Sequence, residues 1–264
     1  MSNSVIASLR MYTRPACVQQ ASETLIEEVL SRLGRSRLEM DTEDMLAYWL
    51  HPRLLFAQAC GYPYMTRLRD QLSLLAAPVY TLPGSEGIEH CSFLVVSAAD
   101  MRSALLDYRG QPVALNAMDS NSGMNLLRHA VAPLSEAGRF FSSVQLTGAH
   151  LQSLAAVASG RAAITAIDSV TYGYLARHSP TLIEGLRVLC KTASSPVLPL
   201  IIRKSLAPEE RNTLVTTLNR VLAIRDDIAE TLALQGFVPV VEQDYQVVLD
   251  YQHKAISLGY PEIA

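Results

Sequence analysis

Long apolar runs, metal-type cysteine spacings and clusters of positive charge are all missing from this 264-residue chain. No window approaches the roughly 18 apolar residues of a membrane span, so no membrane insertion is expected. Its four cysteines, Cys17, Cys60, Cys91 and Cys190, form no C-x-x-C pair and no cluster with histidine. Neither a metal site nor a disulfide framework is therefore expected, and the thiols read as reduced and mostly buried. Lysine and arginine total 22 against 25 acidic residues, a net charge of −3 with no basic run. That balance makes nucleic acid and anionic membrane poor partners. No Gly-x-Gly-x-x-Gly follows the first strand, no Walker loop occurs, and the serine-hydrolase elbow Gly-x-Ser-x-Gly is missing. His51, His90, His129 and His178 lack metal-ligand spacing, and no cofactor is called for. The first residues show no charged start leading into a roughly 7–15-residue apolar core with a small-residue cleavage site. As written, the chain reads as a soluble, cytoplasmic protein, or a periplasmic one if an export signal is missing.

What is present is a well-cored chain, 49% hydrophobic against 18% charged. Its length allows one large domain or two modest ones. Strand-like segments at Val5–Tyr12, Arg53–Cys60, Ser92–Ser97, Pro112–Asn116, Ala162–Ile167 and Leu186–Cys190 alternate with helical ones. The helices are expected over Cys17–Leu33, Met45–Leu50, Leu126–Leu134, His150–Ser159, Glu209–Leu234 and Tyr245–Leu258. This alternation predicts an α/β fold with parallel sheets and helices on both faces. So many strands suit two smaller lobes better than one wide sheet. The Pro/Gly/Ser-rich breaks at 78–87 and 193–199 would serve as crossovers. Lobe one is expected over about 1–100 plus 190–264, with 101–189 inserted as lobe two. Asp41, Glu43 and Asp44 read as solvated residues at a helix start.

Polar residues cluster just after predicted strands, where open α/β sheets place their ligands. Ser120-Asn121-Ser122-Gly123-Met124-Asn125 precedes a helix, so its free amides and hydroxyls suit an anion. Taken alone, Ser122 reads more readily as a helix cap, and its company along the chain favours the anion. Tyr12 ends the first strand, and Tyr64 lies in Gly61-Tyr62-Pro63-Tyr64 after the next clear one. The plainer readings are a packing tyrosine and a rigid turn. His150 opens a helix, and Asp168 closes a strand with Thr171 beside it, where it too could be a cap. An oxyanion held this way needs no arginine, because amides donate without a mobile charge. Asp168 would demand a proton or a cation on that ligand, which disfavours sulfate.

These motifs resemble the phosphate/phosphite/phosphonate substrate-binding proteins of ABC transporters. The resemblance rests on Ser120-x-Ser122-Gly123 before a helix, His150 after Thr-Gly-Ala, and Ala-Ile-Asp168-Ser-Val-Thr171. The segment 188–199 is similar to that family's return crossover, and the likeness runs from Tyr12 to about Val240. Met124 departs from the aromatic residue of close relatives. The resemblance implies a type II periplasmic-binding-protein fold, two Rossmann-like lobes on a two-strand hinge closing over an oxyanion. It implies ligand contacts at Ser120, Ser122, Gly123, His150 and Asp168, with Tyr12 and Tyr64, and places Asn121, Asn125 and Thr171 beside them. The expected function is non-catalytic binding of a small phosphorus oxyanion by a monomer, with an ABC permease as partner if the chain is exported. The alternative is a cytoplasmic enzyme on the same fold, similar to the chorismate-dehydrating proteins, with His150 and Asp168 as acid and base on a carboxylate substrate.

Overall fold

The computed structural model describes residues 3–40, 42 and 44–264. Asp41 and Glu43, read above as solvated, lie outside the described residues, as do Met1 and Ser2 at the start of the segment read for export. Asp44 caps the helix Met45–Trp49, its Oδ1 accepting the Leu46 and Ala47 N–H groups at 2.9 and 3.2 Å. No helix among the described residues is long and apolar enough to cross a membrane.

Two sheets carry the fold. In chain order their strands are β1 (Ser4–Ser8), β2 (Ser36–Arg37), β3 (Leu54–Gln58), β4 (Leu72–Tyr80), β5 (Ser92–Ser97), β6 (Pro112–Leu115), β7 (Ser143–Leu146), β8 (Ile164–Asp168), β9 (Leu186–Lys191), β10 (Leu200–Arg203) and β11 (Leu234–Pro239). The chain divides into two compact units, Met1–Thr81 with Glu86–Ile88 and Pro196–Asp244, and Leu82–Ser85 with Glu89–Ser195 and Tyr245–Ala264. The first unit holds a six-stranded sheet in the order β11-β4-β10-β3-β1-β2. The second holds a five-stranded sheet in the order β9-β5-β8-β6-β7.

Both sheets are mixed, not wholly parallel as the alternation suggested. In the first, β10 runs antiparallel to β3 and β4, and β11 antiparallel to β4. In the second, β5 runs antiparallel to β8 and β9. The missed strands explain the difference. The alanines and Pro78 of β4 blur its pattern, and β10 is only four residues long. The helical period of 209–234 also runs on into β11. That stretch forms the helix Pro208–Ile224, breaks at Arg225 (φ −122°, ψ 73°), and resumes as Asp226–Leu232. Ala233, left-handed at φ 49°, then ends it before β11 begins.

The unit boundaries also differ from an inserted 101–189 lobe. Strand β5 belongs with the second unit because it is hydrogen-bonded along its length to β8 and β9. Residues 245–264 belong there because the Phe140 and Phe141 N–H groups donate to the Ala264 carbonyl at 2.7 and 2.9 Å. Arg128 likewise donates to the Pro261 carbonyl at 2.8 Å. The core of this unit gathers Cys91, Phe93, Val95, Leu154, Ile167 and Leu175 between the sheet and its helices.

In the first unit, Asn219 joins the helix Pro208–Ile224 to β11. Its Oδ1 accepts the Phe237 N–H at 2.7 Å and its Nδ2 donates to the Phe237 carbonyl at 2.9 Å. The side chain thereby imitates a neighbouring strand, and a Cβ on Gly236 would stand 2.9 Å from that Oδ1. Asn219→Ala is expected to lower unfolding free energy by about 1–3 kcal/mol, because two backbone groups lose their partner. Urea denaturation checks this, and an unchanged midpoint would refute it.

Candidate functional site

Strands β6, β7 and β8 are the parallel part of the second sheet, so their C-terminal ends emerge along one edge. Each leads into a helix, and three helix starts meet there. After β6 the chain reaches Ser120, extended at φ −80° and ψ 132°, whose Oγ accepts the Gly123 N–H at 2.9 Å. Ser120 is therefore the cap, the role expected of Ser122 taken alone, and Ser122 is left for other contacts. The first turn, Asn121–Asn125, is a wide π turn before the α-helix Leu126–Val131. Gly123 is required by packing, since a Cβ there would lie 1.8 Å from Asn116 Oδ1.

The loop after β7 is stitched to the end of β6. Thr147 N–H donates to the Leu115 carbonyl at 2.9 Å, and Gly148 N–H to the Asn116 carbonyl at 3.0 Å. Gly148 sits at φ 89°, open to glycine, which lets the chain turn into the helix His150–Ala158. His150 Nε2 thereby comes within 3.2 Å of Ser122 Oγ. After β8, Asp168 caps the helix Ser169–His178, its Oδ1 accepting the Val170 and Thr171 N–H groups at 2.8 and 3.1 Å. Its Oδ2 lies 3.2 Å from His90 Nδ1, both side chains almost wholly buried. Ser92, the cross-strand partner of Asp168, donates its Oγ to the Ser122 carbonyl at 2.8 Å, which closes the cluster.

Burial pushes the Asp168 carboxyl upward, but the close contact of His90, then His150 and the Thr171 amide, outweigh it. The carboxyl therefore lies below its ordinary range. Burial pushes His150 below its ordinary value; Asp168 opposes this and His90 adds to it, so the ring is neutral near pH 7. Two buried polar atoms here have no hydrogen-bond partner, Asn116 Oδ1 and His90 Nε2. Among the described residues no group of three or more His, Cys, Asp or Glu side chains is arranged to hold a metal ion.

The expected residues thus fall into three groups. Ser120, Ser122, Gly123, His150, Asp168 and Thr171 meet at the sheet edge, Thr171 through its amide. Asn121 and Asn125 support the turn from behind. Asn125 Nδ2 donates to Asn121 Oδ1 at 3.0 Å and the Val248 carbonyl at 2.9 Å, and its Oδ1 accepts from Arg128 at 2.7 Å. Asn121 Nδ2 donates to Ser195 Oγ at 2.8 Å. Tyr12 and Tyr64 belong to the first unit. Tyr12 lies four residues past β1 and stands edge-on to Tyr80, with ring centroids 6.1 Å apart. Tyr64 is fully buried, because the turn 61–68 sinks it into the core, and its hydroxyl donates to Glu242 Oε1 at 3.3 Å. Tyr64 is thus enclosed within the first unit. Sequence reasoning missed His90, Ser92 and Asn116, which no spacing ties to Asp168 or Ser122. It also missed that His150 has a hydroxyl partner in Ser122.

A polar edge of helix starts past the ends of parallel strands is where open α/β sheets place their ligands. The model of the phosphonate-binding, periplasmic substrate-binding proteins of ABC transporters matches residues 25–245, and the chain belongs to that family. No curated protein matches the sequence. Among solved structures, a binding-protein component of an ABC phosphonate transporter from Pseudomonas aeruginosa superposes with a TM-score of 0.80 at 15% identity. That match covers 98% of this chain and 89% of the other. PhnD1 from Prochlorococcus marinus in complex with methylphosphonate gives 0.78 at 12% identity, covering 96% and 98%. The alkanesulfonate-binding protein SsuA from Xanthomonas axonopodis bound to MOPS gives 0.66 at 14% identity, covering 97% and 93%. At these identities the likeness is one of fold, the type II periplasmic-binding-protein fold.

The two perturbed groups predict how stability varies with pH. His150 titrates below its ordinary 6.5 in the folded state, so the unfolded chain takes up its proton first. Its contribution is full above pH 6.5 and is lost as pH falls through that value toward the folded one. Asp168, lowered from 3.8, contributes fully above that value and loses its share only at more acid pH. His129, lowered mainly by burial, acts in the same window as His150. The melting temperature is expected to fall between pH 7.5 and 5, and His150→Gln to flatten that fall without abolishing it. A His150→Gln profile as steep as the unaltered protein's would contradict the assignment.

Proposed function

We propose that the chain binds a small phosphorus oxyanion, a phosphonate most broadly, at the edge where β6, β7 and β8 end. It would serve as the solute-binding partner of an ABC permease, acting in the periplasm. The observation that carries this reading is the gathering of buried, unpartnered polar atoms from Asn116 and His90 beside three helix starts. Such atoms are costly unless a polar group meets them, and helix starts favour an anionic one. Ser122 and His150 offer a hydroxyl and an imidazole 3.2 Å apart, a spacing that suits two oxygens of one tetrahedral group.

The ionised Asp168 carboxylate narrows the class. A fully ionised anion would meet repulsion, whereas a P–OH group brings a proton. The site therefore favours phosphonate, phosphite or phosphate over sulfonate and sulfate. The Ser122–His150 contact also raises the enzymatic alternative, a hydroxyl beside a base. Against it, the family to which the chain belongs is one of substrate-binding proteins.

Titration calorimetry near neutral pH tests the reading with methylphosphonate, phosphite, phosphate, methanesulfonate and sulfate. Binding of the phosphorus anions ahead of the sulfur anions is expected, and Ser122→Ala should cost roughly 1–3 kcal/mol of affinity. Heat from none of the five anions would sink the proposal, and unchanged affinity in Ser122→Ala would remove Ser122 from the site.

A further inference from the structure

His90 is 1% exposed, yet its Nε2 has no hydrogen-bond partner. Its Nδ1 lies 3.2 Å from Asp168 Oδ2 and faces that carboxylate. A lone pair on Nδ1 would face the carboxylate at that distance and be repelled, so Nδ1 carries the proton. In the neutral ring, Nε2 is then an acceptor and nothing else. The other titratable group that interacts with this pair is His150. Ser92, two residues along from His90, reaches the Ser122 carbonyl, which joins His90 by chain and by contact to the oxyanion edge.

Asp168 itself is already engaged. Its Oδ1 takes two amides of the helix it caps, and its Oδ2 faces His90. The acceptor with capacity for a ligand hydrogen is the imidazole. We propose that His90 Nε2 accepts the hydrogen of a P–OH group on the bound anion, and that Asp168 positions His90 for this by holding its tautomer. The proposal rests on the oxyanion reading above and names the residue that discriminates within it. A sulfonate of the same shape has no hydrogen to offer and would leave Nε2 facing an anionic oxygen.

The test is titration calorimetry at pH 7 with methylphosphonate and methanesulfonate, on the unaltered protein, His90→Phe and His90→Gln. The unaltered protein should prefer methylphosphonate by about 10- to 100-fold, the range of one hydrogen bond involving a charged group. His90→Phe should bring the two affinities close to equal, chiefly by weakening methylphosphonate. His90→Gln, with an amide oxygen that can accept, should keep part of the preference. A preference unchanged in both variants overturns the assignment. Binding of neither anion by the unaltered protein removes the oxyanion reading and this proposal together, so the two failures are told apart.

Nitrogen-15 NMR of the histidine rings needs no substitution and covers the case in which His90→Phe does not fold. It should show the Nδ1–H tautomer at His90, with the Nε2 resonance moving upfield when methylphosphonate is added. An Nε2–H tautomer, or an Nε2 resonance that does not move, overturns the proposal.

Discussion

Keeping the Asp168 carboxylate charged inside the protein is the constraint on which the rest of the second unit depends. Burial alone would drive a proton onto it, because an isolated charge in a low-dielectric interior is expensive. Here Oδ1 takes two amides at the start of the helix Ser169–His178, and Oδ2 faces the buried ring of His90. Those partners come from different elements, so the charge survives only where β8, its following helix and the segment before β5 are brought together. The same convergence carries Ser92 to the Ser122 carbonyl and completes a site around the buried charge.

Backbone geometry does the remaining positioning. The parallel pairing of β6 with β7 and β8 turns three helix starts toward one edge, and the Thr147 and Gly148 amides tie the loop after β7 to the end of β6. Ser120 takes up the cap, which releases Ser122 for His150, and Gly123 leaves room for Asn116. A second layer of Asn121, Asn125 and Arg128 hydrogen bonds holds the wide first turn from behind, as a preformed binding edge requires.

Membership of the phosphonate-binding family rests on a match over residues 25–245. The fold is shared with a methylphosphonate-bound PhnD1 and an alkanesulfonate-binding protein alike. His90 is where this chain's own structure draws attention. It is an almost fully buried imidazole whose one nitrogen faces a charged carboxylate and whose other makes no bond.

The sequence by itself determined what local pattern can determine. The helices Ala16–Arg32 and His150–Ala158 and the strand Ser92–Ser97 stand at or within a residue of their expected bounds, because caps, glycines and periodicity act over a few residues. The polar run at 120–125, His150 and Asp168 were legible for the same reason, each sitting at a strand end or helix start. Strand β11 was hidden behind a helical period that ran on past Ala233, and the antiparallel members of both sheets left no local trace. Only the tertiary structure decided that Tyr64 is enclosed with Glu242, that Ser120 and not Ser122 is the cap, and that His90 belongs with Asp168 across 78 positions of chain. Such pairings arise from sheet order and from the cost of burying unpartnered charge. Neither leaves a periodic mark on the residues that meet.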